Sequence, residues 1–107
     1  MAVEITADNL SEVTATGLTL VDFWADWCGP CHMLEPVLEE LEEDFDGKVE
    51  FASLDVEEQQ DLAQEYNVMS IPTLILFKDG VAKEKITGYK PKKTLNQYLA
   101  QKVQENS

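Results

Sequence analysis

The runs Leu18-Thr19-Leu20-Val21-Asp22-Phe23-Trp24 and Thr73-Leu74-Ile75-Leu76-Phe77 are of strand length and mostly apolar, without the alternation of a half-exposed strand. Strands of this kind have to be covered on both faces, and that requires a layered α/β arrangement. Residues 49–56 read as a third strand, and Val3-Glu4-Ile5 as a short, weaker one. Between the first and third, Leu34, Val37, Leu38, Leu41 and Phe45 recur at helical spacing while Glu35, Glu39, Glu40, Glu42, Glu43 and Asp44 fill the other side. Pro36 lies inside this amphipathic helix and removes a backbone donor toward the His32 carbonyl, so a kink is expected there. Leu62, Ala63 and Tyr66 mark a shorter helix, and Leu95, Tyr98, Leu99 and Val103 a closing helix opened by Pro91.

Asp79-Gly80 separates residues 73–77 from 81–87, and Asp-Gly favours a tight hairpin because both turn residues tolerate positive φ. The last two strands are therefore antiparallel, whereas the strand–helix alternation before them predicts right-handed parallel crossovers. The expected fold is a central mixed sheet of four or five strands with helices on both faces. Neither a repeat nor a Pro/Gly/Ser-rich linker divides the 107 residues, so residues 1–107 read as a single domain.

The charge balance excludes some functions. With 21 acidic against 8 basic side chains, a net charge of −13 repels phosphate backbones and anionic membranes, so neither nucleic acid nor membrane is an expected partner. No apolar run reaches the ~20 residues that span a bilayer. The first residues, Met1-Ala2-Val3-Glu4, lack the basic segment of a signal peptide, which makes the cytoplasm the expected location.

Cys28 and Cys31 are the only cysteines and are too close together to staple distant parts of a chain, so they read as redox or metal chemistry. Disulfide exchange needs one thiolate to attack and a second thiol near enough to release the mixed disulfide. With a strand ending near Ala25 and a helix starting around residues 28–30, Cys28 falls at a helix N-terminus, where unpaired N–H groups and the helix dipole favour an anion. Cys28 is then the attacking thiolate, and Cys31, one turn further in, is the resolving thiol. Gly29 permits the tight entry and Pro30 suits the first turn. Two metal readings share the spacing. Zinc would usually need two or more further Cys or His ligands, and His32 is the one histidine. Cys28-Gly29-Pro30-Cys31-His32 also matches the attachment pattern of c-type haem, with His32 and then Met33 or Met69 as axial ligands; the apolar strand ahead of it and the βαβ pattern oppose this.

Val21-Asp22-Phe23-Trp24-Ala25, Trp27-Cys28-Gly29-Pro30-Cys31, Pro36, Ser70-Ile71-Pro72-Thr73, Phe77-Lys78-Asp79-Gly80 and Gly88 together resemble the thioredoxin family in order and spacing, over essentially the whole chain. The resemblance implies reduction of protein disulfides by the Cys28 and Cys31 pair, with no bound cofactor or metal. Reducing equivalents would come from NADPH through thioredoxin reductase, and disulfide-containing proteins would be the targets of a monomer. It implies that Asp22 assists proton transfer at Cys31; without the family, an aspartate in an apolar strand either has a raised pKa or reaches solvent at a sheet edge. It implies a cis bond at Pro72, where sequence alone says trans. Met69, Ser70, Ile71 and Thr73 would wall a substrate groove in which target backbone pairs at Ile71, and Trp27 would form part of the rim rather than an ordinary core aromatic.

Two positions depart from the family pattern. His32 stands where Lys or Arg is frequent, and it either tunes the cysteine pair by changing charge near neutral pH or is a solvated helix residue. Ser53 stands where well-known bacterial members carry a lysine near the buried aspartate, which leaves Asp22 without that cation and predicts a higher pKa for it. The same groove can serve a binding module without turnover, but a matched nucleophile and resolver favour the redox role. An exported oxidase or isomerase is disfavoured by Gly29-Pro30, since oxidising relatives commonly place a histidine between the cysteines.

Overall fold

The computed structural model describes residues 2–106. Along the chain run β1 (Val3–Glu4), α1 (Leu10–Val13), β2 (Leu18–Trp24), α2 (Gly29–Asp44), β3 (Val49–Asp55), α3 (Gln60–Glu65), β4 (Thr73–Lys78), β5 (Val81–Thr87) and α4 (Lys92–Glu105). The strands form one five-stranded sheet in the order β1-β3-β2-β4-β5. β3 is parallel to β1 and β2, and β4 is antiparallel to both β2 and β5.

Side-chain alternation explains why the central strands are apolar throughout. Leu18, Leu20, Val49, Phe51, Leu74 and Leu76 point to one face and pack with Leu34 and Leu41 of α2 and Leu95 and Leu99 of α4. Val21, Phe23, Ala52, Leu54, Ile75 and Phe77 point to the other and pack with Leu10 of α1 and Leu62 of α3. Helices therefore cover both faces, and the mixed α/β sheet has its full five strands. The faces also fix where polar residues go: Asp22 and Ser53 share the α2 side, directly opposite each other across β2 and β3.

The hairpin takes the form expected of Asp-Gly, with φ of 50° at Asp79 and 86° at Gly80. Asp79 is also held from outside the hairpin. Its side chain accepts from the Gly17 N–H at 2.7 Å, and its own N–H donates to the Gly17 carbonyl at 3.0 Å.

One local expectation needs revision. The β3–α3–β4 connection is not a parallel crossover, since β4 runs antiparallel to β2 and enters the sheet on the opposite side of β2 from β3. Six residues of α3 do not return the chain to the starting end of the sheet as a parallel strand would require. α1 has no counterpart in the sequence pattern because four residues are too few to show a helical period, although Leu10 is buried. Pro36 lies inside α2, as the sequence pattern has it, and the helix continues to Asp44.

Candidate active site

The site is built where β2 meets α2. After Trp24 the chain turns through Ala25, whose carbonyl accepts from the Cys28 N–H at 3.2 Å. Cys28 is the N-cap of α2 in extended conformation, and Gly29 and Pro30 open the helix as the sequence demands. Its Sγ accepts a hydrogen bond from the Cys31 N–H at 3.2 Å. That N–H is one of the donors a helix leaves unpaired in its first turn, so the sulfur sits where negative charge is stabilised. Cys28 and Cys31 are joined as a disulfide. Both are buried, Cys31 the more deeply at 1% exposure against 4% for Cys28.

Asp22 lies on the same strand and is 7% exposed, with an Oδ1 that finds no hydrogen-bond partner. Burial, reinforced by the nearby Glu35 charge, raises its pKa to about 7. The sheet-edge reading of this residue is excluded, since β2 is the central strand. Opposite it stands neutral Ser53, so no cation from that position offsets the buried carboxyl. Asp22 opens on a cavity of about 260 Å³ beneath α2, walled by Leu20, Trp24, Leu38, Phe51 and Leu74. Glu35, Glu39 and Glu42 also line it.

Ile71-Pro72 is a cis peptide bond at the start of β4. Pairing of Thr73 with Phe23 brings this segment to the end of β2 from which the cysteine motif emerges. Two bonds hold it: the Pro72 carbonyl accepts from Gly88 N–H at 2.8 Å, and Thr73 Oγ1 donates to the Ser70 carbonyl at 2.6 Å. Gly88 makes the first bond at φ 90°, a conformation that a side chain would strain. Pro72 and Thr73 are buried, Ile71 is half-buried, and Ser70 is exposed. Trp27, Met33 and Met69 expose 68%, 62% and 86% of their surface, so Trp27 is no core aromatic. Trp24, by contrast, is half-buried against the cavity.

His32 is exposed yet held at both ring nitrogens. Nε2 lies 2.6 Å from the Asp26 carbonyl and Nδ1 lies 2.9 Å from Glu35 Oε1. A carbonyl and a carboxylate only accept, so the two contacts are both made when both nitrogens carry protons, and they favour the imidazolium over the neutral ring. These bonds raise its pKa above the usual 6.5, the Asp26 carbonyl contributing most.

The sequence pattern placed Glu35 on the solvated face of α2 and gave it no role. The structure sets it between His32 and the cavity that reaches Asp22. Its spacing from His32 at i+3 was the available signal. Among the described residues, no group of three or more His, Cys, Asp and Glu side chains is placed to hold a metal ion. Nor is any helix among them long and apolar enough to cross a membrane.

Comparison with known proteins agrees with this geometry. A thioredoxin family model matches residues 2–101. The chain is 52% identical over 97 residues to a thioredoxin of Staphylococcus haemolyticus, covering 91% of this chain and 93% of that one. It is 50% identical, with the same coverage, to a thioredoxin of Staphylococcus aureus. The crystal structure of a Malassezia sympodialis thioredoxin superposes with a TM-score of 0.88 at 33% identity, over 96% of this chain and 91% of that one. With its cysteine pair bonded at the head of α2, the chain belongs to the thioredoxin family and is a disulfide oxidoreductase that works by dithiol–disulfide exchange.

Proposed function

We propose that this single-domain protein acts in the cytoplasm as a monomeric reductant of protein disulfides, re-reduced by thioredoxin reductase with electrons from NADPH. The observation that carries the assignment of roles is the position of Cys28 Sγ at the N-cap of α2, accepting the Cys31 N–H. A thiolate there is stabilised by the helix end, so Cys28 attacks the target disulfide, forms a mixed disulfide and releases one target thiolate. Cys31 then gives up its proton and attacks Cys28 Sγ. The Cys28–Cys31 disulfide forms, and the second target thiolate leaves with the other electron pair.

Asp22 is the proton acceptor for Cys31. Its pKa of about 7 suits it to exchange a proton near neutral pH, and the cavity offers the route to solvent. Exposed Trp27, half-buried Ile71 and cis Pro72 with Thr73 form the substrate groove, target backbone adding as a short strand at Ile71. Gly29, Pro30 and His32 tune the couple. Protonated His32 favours the Cys28 thiolate and makes the couple more oxidising, an effect lost as pH rises through its elevated pKa. Comparing the pH dependence of the reduction potential in wild type and His32→Lys checks this; superimposable curves would contradict it.

Reduction of a model protein disulfide by the purified chain tests the main reading. Cys28→Ser is expected to abolish turnover, and Cys31→Ser to accumulate the mixed disulfide. Turnover surviving in Cys28→Ser would overturn the assignment.

A further inference from the structure

We propose that Glu35 is a positioning residue that couples the charge of exposed His32 to the buried carboxyl of Asp22 across the cavity under α2. The proposal deepens the redox reading and rests on it. Glu35 is bonded to His32 Nδ1 at 2.9 Å on one side, and on the other it lines the cavity into which unpartnered Asp22 opens. Of the two residues bonded to the His32 ring among the described residues, Glu35 lines the cavity and Asp26 does not.

The charged surroundings of Asp22 are one-sided. From α2 come Glu35, Glu39 and Glu42; β3 offers neutral Ser53, β2 the ring of Trp24, and β4 the apolar Leu74. No lysine, arginine or histidine lines the cavity among the described residues. Through its bond to Glu35, the exposed His32 ring is tied to the edge of this lining.

The coupling follows from the two bonds of the ring. Nε2 faces the Asp26 carbonyl and keeps its proton in either charge state, so deprotonation occurs at Nδ1. With Nδ1 protonated, Glu35 is bonded to a cation and its field at Asp22 is partly cancelled. Once Nδ1 is bare, its lone pair repels the carboxylate that it formerly bound, and Glu35 acts on Asp22 with its full negative charge. Losing the exposed proton thus makes the buried one harder to remove. Asp22 stays protonated to higher pH than an isolated group would, and its titration is stretched over a wider range.

The test reads the Asp22 carboxyl by carbon NMR as a function of pH in the oxidised protein, where no turnover is needed. Glu35→Gln is expected to move the Asp22 midpoint down by about half a pH unit, one screened charge acting across a partly solvated gap. His32→Gln is expected to move it up by a similar amount, since the cation is gone and Glu35 remains. In the Glu35→Gln background, His32→Gln should do nothing. Opposite signs from the two partners of one ion pair, with the histidine effect lost in the double variant, support the coupling. An unmoved midpoint in Glu35→Gln would overturn it, as would a His32→Gln effect of equal size in both backgrounds. Both side chains are exposed, so the variants should fold. The cysteine assay described above fails or succeeds independently of these midpoints.

Discussion

Asp22 sets a pH-dependent penalty on the fold. In an unfolded chain its carboxyl ionises near 3.8, and in the native protein near 7. A raised carboxylate pKa means that the native state binds the extra proton between these values, so stability falls as pH rises from about 4 to about 7 and the loss is complete above that. At ~1.4 kcal/mol for each pH unit, the full penalty is about 4 kcal/mol. Asp22→Asn keeps the shape and removes the charge. We expect it to raise the thermal midpoint markedly at pH 8 and to have little effect at pH 4, as measured by melting at both values. An equal gain at both would show that the cost is packing rather than ionisation. The position of this aspartate in an apolar run was legible in the sequence. So was the neutral Ser53 near it, through the family resemblance, but the unpaired Oδ1 was not, because no pattern reveals that a cavity lies above the two residues.

Among the elements, the β4–β5 hairpin was the most readable, since Asp79-Gly80 demands one turn and the structure adopts it. A Cβ on Gly80 would meet nothing within 4 Å, so Gly80→Ala should cost only the strain of φ 86°. That is about 1 kcal/mol and lowers the melting temperature by roughly 4–8 °C in a domain of this size. No change on melting would show that the turn relaxes. α2 and α4 were equally clear, because a helix of several turns shows its apolar stripe in full. α1 was invisible at four residues. The tie between α4 and β5, in which Lys102 and Tyr98 both donate to Glu84, joins groups that lie 18 and 14 positions apart and leave no trace in local spacing.

Over the whole molecule, a net charge of −13 is a repulsion that ionic screening relieves. Raising sodium chloride from about 10 mM to about 0.5 M, where the Debye length drops well below 10 Å, is expected to raise the melting temperature at neutral pH. A fall would mean that local pairs such as Lys92 with Asp44 and Lys102 with Glu84 outweigh the general field. At this scale the sequence by itself determined the layered α/β class and a cysteine pair at a helix start, because hydrophobic period and cysteine spacing act over a few residues. The tertiary structure alone decided that β4 enters antiparallel beside β2, which brings Ile71-Pro72 to the end of β2 that carries the cysteines. It alone placed Glu35 between His32 and Asp22, since the cavity linking them exists only once α2 has packed across the sheet.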